Sequence, residues 1–133
     1  MSKLSTALQE IIAKQDVFPI ATANQDGTPN VVPMTFVKVY DENNLLIVDN
    51  FMNKTRKNLA SNPRMAICVW DLKAGQAYQI KGRTTRATSG KVFDEAKNWV
   101  EEKMPGLPAQ AAVLLSVEQV FVCQPGDDLG KEV

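Results

Sequence analysis

The chain contains no histidine. That one absence removes Ser-His-Asp and Cys-His catalysis, histidine-ligated haem and the usual catalytic zinc sites together. Any chemistry is therefore expected to reside in a bound group rather than in the side chains, and no metal site is expected. Cysteine is scarce as well. Cys68 and Cys123 stand far apart with no CxxC spacing, so neither a zinc knuckle nor a dithiol redox motif is available, and both read as small buried apolar residues. No apolar run is long enough to span a bilayer, and the amino terminus, MSKLSTALQE, lacks the apolar core and cleavage site of a secretion signal. A cytoplasmic location without membrane contact is the expectation. Net charge is also missing: 15 basic and 15 acidic residues cancel, which argues against a chain that coats nucleic acid or an anionic surface.

What is present reads as one domain, residues 1–133, a length that supports a single core. Leu4, Leu8, Ile11 and Ile12 recur at helical spacing, predicting a helix from about Lys3 to Gln15 with Ser2 or Ser5 as its cap. VFPIATAN reads as a strand, QDGT as a turn, and PNVVPMTFVKVY as a second strand whose prolines, Pro29 and Pro33, demote its first half to an edge or a bulge. DENN turns the chain into a third strand, LLIVDN. KTRKNLAS has the composition of a short helix that Asn62-Pro63 ends. RMAICVWD is a fourth strand. In the fifth, Tyr78, Ile80, Gly82 and Thr84 share one face while Gln79, Lys81, Arg83 and Thr85 share the other. KVFDEAKNWVEEKM is the longest helix, AAVLLSVEQVFVC the sixth strand, and QPGDDLGKEV a loose polar tail. Six strands with early hairpins and few helices predict a small, mostly antiparallel barrel with helices outside it.

The stretch MNKTRKNLASNPR carries four cations and no acid. It falls where a strand ends and a helix begins, so free backbone N–H groups and the positive end of the helix dipole coincide there. Lys54 adds a charge, Thr55 a hydroxyl and Asn53 a cap, with Arg56 and Lys57 deepening the potential. A phosphate monoester suits such a corner. A solvated helix face would hold the same residues, but cations at a helix start oppose the dipole, and a bound anion offsets that cost. Lys73, Lys81, Arg83, Arg86 and Lys91 form a second basic stretch. No aromatic residues interleave with them to stack bases, so nucleic acid is the weaker account.

Taken in order, IATANQDGTPNVVPM, LLIVD, NKTRKNLASNPRMAICVW and YQIKGRTT resemble the pyridoxamine 5′-phosphate oxidase-like flavoproteins, the FMN-binding split barrels, and most closely their short members. The resemblance runs from Phe18 to about Val122. It implies a six-stranded antiparallel split β-barrel of Greek-key character, mainly β with flanking helices, forming a homodimer with one FMN per subunit at the interface. Carried onto this sequence, Val32, Pro33, Met34 and Thr35 would line the flavin, Thr35 lying also near the phosphate tail. Asp49, Asn50 and Phe51 would run beside the isoalloxazine ring, offering backbone groups to its polar edge. Lys54 and Thr55, with Asn53 at the helix start, would hold the phosphate. The MPGLPAQ loop would reach the partner's flavin, and Trp99 reads as a packing residue.

The implied function is a small FMN-dependent oxidoreductase or electron-transfer protein with a small-molecule or protein redox partner. A flavin-storing module without turnover and a deazaflavin-dependent reductase are the alternatives, and no catalytic acid or base can be assigned. The longer oxidases of the family carry a carboxy-terminal arginine and histidine region. This sequence ends in QPGDDLGKEV, which argues against activity on pyridoxamine phosphate itself.

Overall fold

A computed structural model describes residues 3–133. Its elements are α1 (Thr6–Lys14), β1 (Phe18–Ala23), β2 (Pro29–Met34), β3 (Val37–Asp41), β4 (Asn44–Asp49), α2 (Lys54–Ser61), β5 (Arg64–Asp71), β6 (Gln76–Ala87), α3 (Lys91–Lys103) and β7 (Ala111–Val122). The seven strands form one antiparallel sheet in the order β2-β1-β5-β6-β7-β4-β3. The strand count expected from the sequence was six. PNVVPMTFVKVY is two strands because the chain bends at Thr35 and Phe36, where Phe36 turns its ring into the core against Trp99, with ring centroids 5.1 Å apart.

That break shapes the molecule. β2 and β3 are consecutive in the chain yet occupy opposite edges of the sheet. Three virtual bonds separate Met34 from Val37, so the two edges come within about 11 Å of each other. A seven-stranded sheet satisfies this only by curling on itself, which gives a barrel split between β2 and β3. Pro33 keeps its place in the edge strand without a bulge, facing Pro19 across a regular β1–β2 register. Pro33 has no N–H to donate, and an edge strand tolerates the loss.

The core has two compartments. Inside the barrel, Phe18, Ile20, Leu45, Ile47, Ile67, Ile80 and Leu115 pack with Leu8, Ile11 and Ile12 of α1. Outside it, Leu46, Val48 and Ala112 pack with Phe36 and with Ala96 and Val100 of α3. β4 therefore has apolar neighbours on both faces, which is why LLIV is a continuous apolar run rather than an alternating one.

Local chemistry sets the element ends. Ser5 caps α1, its Oγ accepting the Leu8 N–H at 3.2 Å, and the helix begins at Thr6 rather than Lys3. Ser2, the other proposed cap, lies outside the described residues. In the β1–β2 turn, the Thr28 hydroxyl and N–H hold the Asp26 carboxyl below its usual pKa. α2 stops at Asn62, which is extended as a residue before proline must be. The tail expected to be loose is pinned: the Gly130 and Val133 N–H groups donate to Val122 and Val120, and Glu132 bridges Phe121.

Cys68 and Cys123 are half-buried rather than fully buried. Cys68 lies on β5 opposite Gln79 of β6, and the Cys123 N–H bonds Ala77 of β6 from the far side, so a whole strand separates the two thiols. Two strand spacings, about 9.5 Å, exceed the reach of a disulfide. Burial, and to a lesser degree the neighbouring Cys123, push the Cys68 thiol up.

Candidate functional site

A cavity of about 880 Å³ opens at the split of the barrel. One wall is β2 with its continuation Thr35. The other is the end of β4 running through Asn50–Asn53 into the first turn of α2, and Met104 and Leu107 close it from beyond α3. Of the ten residues singled out in the sequence, nine line this space: Val32, Pro33, Met34, Thr35, Asn50, Phe51, Asn53, Lys54 and Thr55. They come together because β2 and the β4–α2 junction flank the same gap.

Asp49 is the exception. It is fully buried behind the cavity wall; Arg86 Nη2 donates to its Oδ2 at 3.0 Å, and the Met52 N–H donates to its Oδ1 at 2.9 Å. Its carbonyl accepts the Gln110 N–H at 2.8 Å, while the Asn50 carbonyl accepts from the Gln110 side chain at 3.0 Å. Of the three residues expected to offer backbone groups to a ring, Asp49 and Asn50 thus have carbonyls that already accept a hydrogen bond. Asp49 instead anchors the loop that forms the wall.

At the α2 end the cavity turns polar. α2 has no acid in its first turn, so Lys54 and the free N–H groups there meet nothing of opposite sign within the helix. Asn53 occupies the N-cap position, but its side chain makes no capping bond. This departs from the expected cap and leaves that side chain uncommitted at the cavity. Thr55 is 2% exposed, and its Oγ1 accepts from Asn30 Nδ2 at 3.1 Å. The same Asn30 amide reaches Thr22 Oγ1, which also accepts from Asn58 of α2. The Thr55 oxygen is thereby fixed as an acceptor toward Asn30, and its proton is left for an acceptor in the cavity.

Asn30 was not singled out in the sequence, although it shares a strand face with Val32 and Met34 at intervals of two, a spacing that points to it. Val31, Val48, Met52, Met104 and Leu107 were also missed as lining residues. The last two belong to the loop expected to reach a partner's site, and here they line this chain's own cavity. Arg56, grouped with Lys54 in the sequence, faces a different space. Trp99 packs on Phe36 with Lys38 Nζ 4.6 Å from its ring centre, away from the cavity.

Lys54 is the one ionisable side chain among the described residues lining the cavity. No proton-transfer pair is built into it. The site can bind and orient a group, exclude water from one of its sides and neutralise an anion, while redox or proton chemistry must come with the ligand.

The pyridoxamine 5′-phosphate oxidase family profile matches residues 4–124, and the chain belongs to that family. An uncharacterized protein of Methanocaldococcus jannaschii is 35% identical over 131 residues, covering 97% of this chain and 87% of that protein. HupZ of Group A Streptococcus has the same fold, with a TM-score of 0.83 and 26% identity over 95% of this chain and 98% of that one. An FMN-binding protein of Syntrophomonas wolfei superposes with a TM-score of 0.77 at 12% identity, over 89% of this chain and 84% of that one. An F420 reductase and the heme storage protein HutZ of Vibrio cholerae share the fold at TM-scores of 0.66 and 0.68 with 17% and 16% identity, covering 84% and 90% of this chain and 94% of each of those chains. The fold alone therefore fixes no single cofactor.

Proposed function

We propose that the 880 Å³ cavity binds FMN and that the chain is a small flavoprotein working as an oxidoreductase or electron-transfer protein. One observation carries the reading: an apolar strand wall and a phosphate-type corner meet in a single cavity whose only charge among the described residues is positive. Val32 and Met34 offer a wall suited to a flat ring. β2 pairs on one side only, so the unpaired backbone groups of its free edge are available to polar ring atoms. Lys54, the Thr55 hydroxyl and the first N–H groups of α2 would take the phosphate. When bound, FMN supplies hydride or single-electron transfer; the protein holds it, fixes its orientation and limits water.

The mouth of the cavity is apolar and open. Val31 is 67% exposed, Phe51 69% and Met104 53%, a cluster that a second copy of the chain would cover while closing the ring face from solvent. A homodimer is part of the proposal. Light scattering should give twice the 14.7 kDa chain mass, and a monomer that binds flavin fully would remove this part.

Storage or relay of flavin without turnover is a second reading, favoured by the lack of any proton-transfer pair. Steady-state reduction by NADH or NADPH with a set of electron acceptors separates the two readings. The cofactor itself is identified by the visible spectrum of the purified protein and the mass of the molecule that heat releases. FMN supports the reading, and a deazaflavin or haem replaces it. Lys54→Ala is expected to weaken FMN binding by about 2 kcal/mol, roughly thirtyfold, because it removes a charge-assisted phosphate contact. Fluorescence titration checks this, and an unchanged Kd would remove Lys54 from the site.

A further inference from the structure

A second cavity, about 300 Å³, lies on the other side of Met52 from the first. Its lining is unlike its neighbour's: Met52, Leu59, Ala60 and Val113 are apolar, and Arg56 and Arg86 bring two guanidinium groups to one small space. Thr84 also lines it, but spends its hydroxyl proton on the Pro63 carbonyl at 3.0 Å and offers the cavity no donor.

Three observations make this more than a pair of surface arginines. Arg86 is held in place at one nitrogen: its Nη2 is bound to the fully buried Asp49, and its other N–H groups have no side-chain or backbone acceptor among the described residues. Arg56 stands in the first turn of α2, where a cation opposes the helix dipole, and no acid pairs with it among the described residues. Asp49 balances one of the two charges, so the pocket retains a net positive charge facing apolar walls. The first turn of α2 thus sends Lys54 to one cavity and Arg56 to another.

We propose that this second cavity binds a small organic carboxylate, its apolar body against Met52, Leu59 and Val113 and its carboxylate between Arg56 and Arg86. Planar guanidinium forks match the two oxygens of a carboxylate, and the apolar walls favour an acid with a hydrocarbon body over inorganic phosphate. The inference does not depend on which cofactor fills the larger cavity.

Titration of the ¹⁵N-labelled full chain with benzoate, followed by NMR, tests it, with benzyl alcohol as an uncharged control of similar shape. Benzoate is expected to shift the amides of Met52, Leu59, Ala60 and Val113 and to saturate below about 10 mM, an affinity near 3 kcal/mol. Benzyl alcohol is expected to bind at least about tenfold more weakly. Arg56→Gln should weaken benzoate about tenfold; this residue is exposed, and FMN titration of the same variant should change by less than about threefold, because its side chain lies outside the larger cavity and is screened by solvent. Equal binding of the two probes, benzoate shifts scattered over the lysines, no saturation, or an Arg56→Gln variant with wild-type affinity would each overturn the proposal.

Discussion

Replacing Gly82 with alanine is expected to destabilise the fold by about 3–5 kcal/mol, among the largest effects of any single methyl addition in this chain. β6 and β7 change register beside this residue: Lys81 pairs with Gln119, whereas Gly82 pairs with Val117. At that step the strands approach so closely that a Cβ on Gly82 would overlap the Ser116 carbonyl oxygen and sit 2.9 Å from its carbon and 3.1 Å from Leu115 Cδ1. The first two obstacles are backbone. β7 cannot retreat from them, because on its other side Ser116 and Leu115 pair with Asn44 and Leu45 of β4. Relief therefore requires moving strands through a close-packed interior. Urea unfolding reads the effect as a lowered midpoint at unchanged slope. A loss under about 1 kcal/mol would mean that the strand approach described here is wrong.

Arg86→Met is the second large effect, expected to cost about 3 kcal/mol. The Asp49 carboxylate is fully buried and receives two donors: the Arg86 guanidinium and the Met52 N–H. Arg86 keeps 38% of its side chain exposed, so solvent screens its half of the pair, and the interaction by itself is worth less than a fully dry one. The cost arises at the other end, where a buried carboxylate loses its only counter-charge among the described residues. Adding Asp49→Asn to the Arg86→Met variant should recover at least half of the loss, since the stranded charge is then gone. Chemical unfolding of the two single variants and the double variant provides the cycle. Additive losses in the double variant would show that charge pairing is not what Arg86 supplies.

These two positions also show what the sequence discloses and what it withholds. The alternation of Tyr78, Ile80, Gly82 and Thr84 was legible because period-two burial is a local pattern, and Ile80, Gly82 and Thr84 are buried while Lys81, Arg83 and Thr85 are exposed. The close approach at Gly82 was not legible, since it depends on a bulge formed with a strand more than thirty residues away. The basic junction at Lys54 and Thr55 could be read, because a strand end, a helix start and uncompensated cations lie within a few residues. Its sorting into two cavities could not. Whether Lys54 or Arg56 faces a given space depends on the rotation of α2, which its packing against β1 and β2 sets.

Asp49 is the most informative displacement. The family resemblance implied that Asp49 offers backbone groups beside a ring, yet its partner Arg86 lies 37 residues along the chain and holds the carboxylate behind the wall. The seventh strand was hidden for a similar reason. Nothing local in PNVVPMTFVKVY marks Thr35 and Phe36 as the place where the chain leaves one edge of the sheet for the other. Only the pairing of Val37–Asp41 with β4 determines it. Asn53 likewise has the right residue type and position for a cap, but its backbone angles, φ −126 and ψ −84, turn the side chain away from the helix amides.

On the proposed reading, the corner formed by Lys54, Thr55 and the start of α2 recognises a phosphate on a flavin. Parallel titrations of the cofactor-free protein with FMN and with riboflavin, which differ only in that phosphate, test it most directly. FMN should saturate one site per chain and bind at least about thirtyfold more tightly than riboflavin, a difference of roughly 2 kcal/mol. Equal affinity for the two, or no binding of either, would contradict the account.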